Sequence, residues 1–399
     1  MTGDPGSYAM RTIVERKPRI IREVILSNSM TGAVKERLEA LDAEMRDGVI
    51  ASPIGAAVFP ADAFEKDELA AWEREIARWQ GRSWLDIPWY FAEAFFYFRV
   101  LLECGYYRSL RGAGTSPPVD PFRVLKEKEL LGPGGGLELG KTILHGLGAM
   151  DSDKEKAAFL LNTSLWGNRV DLSNYDVSLH ERERLLGSDP ERLLVDHTPA
   201  AVEALICGTA VDMILDNAGP ELVSDLLLAD FILGRDRAAR VVLHVKRSPF
   251  FVSDATVEDV QTTLKAFRAH PAPALNAAGE RLLRQMRTGG LSAADHFFWN
   301  GPLHFSSLPR DILRRFEAAD LLIFKGDANY RRLLEDRKWN TGIAMEEAAC
   351  RLPSPFLVLR TMKSEIVVDI PEAKAAELSR ADPDWLINGR RGIVRCCRT

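Results

Sequence analysis
The sequence has 399 residues, 46% of them apolar and 27% charged, enough to bury a large core as two domains or as one domain with a helical attachment. Its net charge of −5 excludes the overall basic excess that draws a protein to nucleic acid. The five cysteines, Cys104, Cys207, Cys350, Cys396 and Cys397, match neither an even disulfide framework nor zinc-ligand spacing, so a reduced cytoplasmic protein is expected.

The N-terminal MTGDPGSYAMRTIVERKPRI lacks the apolar centre of a signal peptide. In SMTGAVKERLEALDAEMRDGV, Leu38, Leu41 and Met45 fall at helical spacing and Gly48 marks a stop. Leu69, Trp72, Ile76 and Trp79 repeat the pattern. Pro88 to Tyr107 is the most membrane-like stretch, but Glu93, Arg99 and Glu103 interrupt it. It reads as a buried aromatic helix rather than a membrane span. Glu93 there is either the buried partner of an arginine or a pocket wall. Ser116–Phe122 and Gly132–Gly136 are loops, and Lys154–Trp166 is a further helix. Residues 1–200 thus form a mainly helical region.

The second half changes character. Ala210–Leu215 is a strand, followed by a helix from Pro220 that ends at Gly234. Arg240–Val245 is a second strand, with His244 as a core histidine, and Thr256 and Asp259 after it have capping-box spacing. Asp320–Asp336 contains a third strand and a helix, and Phe356–Ile370 a fourth strand. Apolar strands joined by helices predict a mostly parallel sheet covered on both faces. The expected architecture is a three-layer α/β/α, Rossmann-like core over 201–399, behind the helical N-terminal region. The adjacent Cys396 and Cys397 are expected in a solvated tail.

In open α/β sheets, ligands bind beyond the carboxyl ends of the strands, and four polar clusters fall there. Asp216 and Asn217 follow the first strand, and Asp254 lies past the second. Lys325, Asp327, Ala328, Asn329, Tyr330 and Arg331 follow the third, and Arg360 and Lys363 the fourth. Asp216, Asn217 and Asp254 are hard oxygen donors suited to Mg²⁺ or Mn²⁺. Lys325, Arg331 and Lys363 are cationic donors suited to a phosphate. Each cluster taken alone also fits a helix cap or an exposed turn.

The segments LWGNRVDLS, LDNAGPELVSDLLLADFIL, HVKRSPFFVSDAT, FKGDANYRRLLEDR and LRTMK, in this order, resemble the damage-control phosphatase family, formerly domain of unknown function 89. The Arg-Thr-x-Lys element is similar to the hallmark of its subfamily III, and ERKPRII, WLDIPWYFAEAFFYFRVL and FFWNGPLHFSSLP extend the likeness over nearly the whole chain. The resemblance implies a phosphatase acting on small phosphate monoesters, notably sugar phosphates such as fructose 1-phosphate and fructose 6-phosphate, with Mn²⁺, Mg²⁺, Co²⁺ or Ni²⁺. By motif match it implies Asp216, Asn217 and Asp254 as catalytic metal ligands, and Asp327 to Arg331 with Lys363 as substrate-binding residues. Ala328 departs from the larger aliphatic residue that relatives often carry. Ala218 stands where a haloacid-dehalogenase-type phosphatase would carry a second Asp. Asp216 is then either a metal ligand while water attacks, the favoured role, or itself the nucleophile. Asn168, Arg169 and Asp171 either line the pocket or form a stabilising turn. Subfamily members are also described as S-adenosylmethionine-dependent protein-glutamate O-methyltransferases. The glycine-rich Gly132–Gly140 has no strand before it and offers that alternative little support. The expected partner is a small phosphate ester, with neither nucleic acid nor membrane.

Overall fold
The computed structural model describes residues 1–56, 59–110, 119–167, 192–235 and 239–397. Contacts divide the chain into two compact units. One comprises Met1–Leu125, Lys246–Ser253 and His296–Leu303; the other comprises Lys126–Val245, Asp254–Asp295 and His304–Thr399. The division falls at residue 125 rather than near residue 200. The reason lies in the helices Gly136–Leu147 and Asp153–Trp166, which pack on the helix Pro220–Leu233 of the sheet-bearing unit.

The first unit is helical. Leu38, Leu41 and Met45 on the helix Gly32–Asp47, and Trp72 and Ile76 on the helix Lys66–Trp79, are buried as their spacing predicts. They surround the helix Trp89–Glu103, where Phe95, Phe96, Tyr97 and Leu101 are fully buried. No helix among the described residues is long and apolar enough to cross a membrane. Glu93 is a buried partner, but of a lysine. Its carboxylate lies 2.7 Å from Lys17 Nζ, which also sits over the rings of Phe96 and Tyr97 at 4.4 and 4.3 Å. Burial pulls Lys17 down to about 7 against the attraction of Glu93. The two later segments of this unit are tied by Asn300, whose Oδ1 accepts from Arg247 N at 2.7 Å and whose Nδ2 donates to Ser248 O at 2.9 Å.

Among the described residues, the second unit holds one seven-stranded sheet of order β1-β7-β6-β5-β2-β3-β4. Its strands are β1 (Leu193–Asp196), β2 (Ala210–Ile214), β3 (Arg240–Lys246), β4 (Leu291–His296), β5 (Leu321–Lys325), β6 (Phe356–Thr361) and β7 (Gly392–Cys397). Strand β2 pairs in parallel with β3 and β5, β5 with β6, and β1 with β7; β6 and β7 run antiparallel. Every residue of β5, β6 and β7 is buried, so both faces of the sheet are covered. Val211, Met213, Leu243, Ile323 and Leu357 project toward Leu160 and Leu226 of the helices in one core. On the opposite face of β2, Asp212 meets His244 at 2.7 Å, and the His244 ring lies edge-on to Phe316. His244 is thus the satisfied core histidine that was expected.

Cys396 and Cys397 are not in a solvated tail: both are buried in β7. The preceding Arg395 anchors that strand through Asp369 at 2.8 Å and Glu346 at 2.6 Å.

Removing one member of a buried ion pair strands the other charge, at a typical cost of about 3–5 kcal/mol. Glu93→Ala should lower stability by that order in urea unfolding at neutral pH, and an unchanged midpoint would show that Lys17 does not depend on it.

Candidate active site
The apolar run of β2 ends at Ile214, and Leu215 N still donates to His244 O at 3.0 Å. Asp216 and Asn217 therefore emerge directly from the carboxyl end of the sheet. The chain next turns through Gly219 at φ 68° and ψ −136°, a conformation open to glycine alone. Pro220 then opens the helix. The loop after β3 comes back to the same place. Asn217 and Asp254 form an antiparallel bridge, and Ala255 N donates to Asp216 O at 2.8 Å. Asp254 is approached through Phe251 and Val252, both at positive φ (44° and 69°), a strained choice for a β-branched residue. Thr256 and Asp259 complete the predicted capping box just beyond. Main-chain pairing thus brings together Asp216, Asn217 and Asp254, all at most 9% exposed.

The helix Gly326–Leu333 starts against this set. A Cβ built on Gly326 would lie 1.9 Å from Asp216 Oδ2, and its φ is +79°, so glycine is required on two counts. Asn217 Nδ2 donates to Asp216 Oδ2 and to Glu221 Oε2, each at 2.9 Å. With the nitrogen engaged by two carboxylates, Oδ1 is the atom an amide offers a cation. Among the described residues, no cluster of three or more His, Cys, Asp and Glu is arranged for a metal. The set is two carboxylates completed by an amide. That all-oxygen donor chemistry fits a hard divalent cation that keeps several waters.

The third strand's cluster divides. Lys325 does not face a phosphate position. Its ammonium is fully buried, 3.0 Å from Asp225 Oδ1 and 3.2 Å from Glu221 Oε1, and it donates to Ser164 O and to Ser164 Oγ (2.9 Å). Burial alone would lower its pKa, but Asp225 and Glu221 hold it above the ordinary lysine value. Burial also pushes Asp225 up to about 6 despite Lys325. Asn329 is fully buried, and its Nδ2 donates to Leu215 O at 3.2 Å and Lys325 O at 2.9 Å, pinning the helix start to the end of β2. Tyr330 Oη accepts from Val368 N at 3.1 Å, and Arg360 stacks 3.9 Å over its ring. Arg331 pairs with Asp336, held on a left-handed turn (φ 53°). Ala328 is half-buried and adds no polar side-chain atom.

Asp327 links the third and fourth clusters. It accepts from Arg360 Nε at 2.7 Å, Ser364 Oγ at 3.1 Å and Lys363 N at 3.4 Å. Burial pushes its carboxyl up, but Arg360 and Arg331 outweigh it and hold it below the usual aspartate range. Lys363 is half-buried; with Lys126 it is a charged neighbour of Glu129, whose Oε2 would stand 3.2 Å from a Cβ on Gly219. Glu129, Glu221, Asp225 and Ser164 were absent from the sequence reading. They sit inside helices, where nothing in the sequence sets them apart from solvated acids and hydroxyls. Asn168, Arg169 and Asp171 lie outside the described residues. In the glycine-rich stretch, added Cβ atoms at Gly136 and Gly140 would stand 3.0 and 3.1 Å from Val223. Those glycines serve helix packing, which gives the methyl-transfer reading no support.

Sheet topology, strand-end acids and their cationic surroundings define an α/β protein with its candidate site beyond the carboxyl ends of β2 and β3. Residues 12–378 match the model of the damage-control phosphatase ARMT1-like domain, and the chain belongs to that family. It is 29% identical to damage-control phosphatase ARMT1 of Danio rerio over 98% of this chain and 94% of that protein. It is 30% identical to the Homo sapiens protein of the same name over 98% and 96%. A solved structure, a DUF89 family protein from Pyrococcus horikoshii, aligns with TM-score 0.50 and 16% identity over 98% of this chain and 96% of that one. At that identity the likeness concerns the fold alone.

Two substitutions test this geometry. Gly326→Ala should destabilise by about 1–3 kcal/mol through overpacking against Asp216, read as a lower thermal midpoint. Asp327→Asn should cost about 3 kcal/mol at neutral pH by leaving Arg360 buried without its carboxylate. Because the carboxyl titrates below its ordinary value, its contribution is complete above that value and is lost as pH falls through the lowered one. The gap between wild type and Asp327→Asn in urea midpoint should therefore narrow in acid; a constant gap would contradict the assignment.

Proposed function
We propose that this protein hydrolyses small phosphate monoesters, with sugar phosphates of the fructose 1-phosphate and fructose 6-phosphate type as the substrate class, and that it requires a divalent metal, Mn²⁺ or Mg²⁺. The phosphatase activity follows the family. The substrate class is what the resemblance to the family implies, and the metal rests on one observation: the backbone pairing of Asn217 with Asp254, and of Ala255 with Asp216. It gathers oxygen donors from two strand ends where α/β sheets bind ligands.

A cation held by Asp216, Asn217 and Asp254 would supply Lewis acidity toward a phosphoryl oxygen. The chain's own groups do the rest. Lys363 supplies positive charge for the phosphate, and Asp327 fixes the backbone from which Lys363 extends. Fixed positive charge of this kind acts without reorganising as the reaction proceeds. Asn329 and Tyr330 act indirectly, by holding the Gly326 helix in place. Arg331 is ion-paired with Asp336, so its contact with substrate would need that pair to open.

Phosphate release should be measured from a panel of sugar phosphates with added Mn²⁺ or Mg²⁺, and again with a chelator. Turnover should disappear on chelation; turnover that survives would rule out the metal. Asp254→Ala should reduce turnover at least about a hundredfold with its circular dichroism unchanged, and retained activity would remove Asp254 from the site.

A further inference from the structure
A knot of buried charge lies one contact behind the candidate donor set. Lys325 ends β5 with its side chain fully buried. Four acceptors surround its three protons: Asp225 Oδ1 at 3.0 Å, Glu221 Oε1 at 3.2 Å, Ser164 Oγ at 2.9 Å and Ser164 O. Ser164 Oγ in turn donates to Asp225 Oδ1 at 2.5 Å. Lysine has only three donors, so this cation is saturated where it stands.

One of those acceptors has a second task. Glu221 gives Oε1 to Lys325 and receives Asn217 Nδ2 on Oε2 at 2.9 Å. The same amide nitrogen reaches Asp216 Oδ2. A continuous line of buried contacts therefore runs from Lys325 through Glu221 to Asn217 and Asp216. An amide can present either its nitrogen or its oxygen to a neighbour, and only the oxygen ligates a hard cation. Glu221 and Asp216, both acceptors for Nδ2, fix which way Asn217 faces. Yet Glu221 and Asp225 are both buried against the same ammonium, an arrangement that is costly without that compensating positive charge. Lys325 is that charge.

We propose that Lys325 is a positioning residue for metal binding, acting through Glu221, which accepts from Asn217 Nδ2, to fix the orientation of the Asn217 amide. The inference rests on the metal site of the preceding section. It makes the lysine a support for the donors rather than a contact of the phosphate.

The test is Mn²⁺ binding to the metal-stripped full chain by titration calorimetry, for wild type, Lys325→Met, Glu221→Gln and the double variant. Folding is checked by circular dichroism. Groups that orient metal ligands typically carry 10–100-fold in affinity, so each single variant should bind Mn²⁺ at least about tenfold more weakly. Because both act through one contact, the double variant should be no more than about twofold below the weaker single variant. A Lys325→Met protein with wild-type affinity, or losses that simply multiply, would overturn the inference while leaving the metal site intact. A wild type that binds no Mn²⁺ would overturn both. If Lys325→Met does not fold, Glu221→Gln decides alone: a folded variant with unchanged affinity overturns the relay.

Discussion
Two loops that leave neighbouring strands are joined by their main chains, and the candidate site depends on that junction. The bridge between Asn217 and Asp254, with the bond from Ala255 N to Asp216 O, fixes where three side chains start before any of them contacts a ligand. Backbone pairing tolerates side-chain replacement in a way that a web of side-chain contacts does not. The surrounding glycines serve the same junction. Gly219 lets the chain turn into its helix, and Gly326 lets the next strand's helix begin against the Asp216 carboxylate.

Charge burial is handled alike at three places, where a deeply placed cation has a carboxylate and at least one further contact. Lys17 has Glu93 and two aromatic faces. Arg360 has Asp327, backbone oxygens of Ser364 and Ile366, and the Tyr330 ring. Lys325 has two acids and a serine. Such pairs add little net stability over apolar packing but fix one arrangement, because breaking either half is expensive. For Lys325 and Arg360, near the acids at the strand ends, fixed arrangement is the property that matters.

The sequence was most readable where one physical signal dominated. Strands β2, β3, β5 and β6 are largely apolar runs bounded by turns, and the helix from Pro220 to Leu233 has proline at its start and glycine just past its end. Strand β1 is only four residues long. Strand β4 reads LSAADH with mixed burial, and β7 carries a buried arginine whose partners, Asp369 and Glu346, are distant in sequence. None of these three has a local pattern to find. For the site, the order of acids at strand ends was visible, but the direction of a side chain was not. Lys325 looked like its neighbours Arg331 and Lys363, and only the packing shows it turned inward. Nothing in the sequence separates Glu221 and Asp225 from helix-surface acids, because burial is a tertiary property.

Strand β7 comes last of the seven in sequence yet lies between β1 and β6, antiparallel to one and parallel to the other. As the polypeptide leaves the ribosome, β2, β3, β5 and β6 can pair with one another as they appear. Strand β1, made earliest, has no neighbour until some two hundred residues later, when β7 emerges. Closure of the sheet is therefore a late event in synthesis, and until then β6 exposes an apolar hydrogen-bonding edge of the kind that chaperones shield and aggregates recruit.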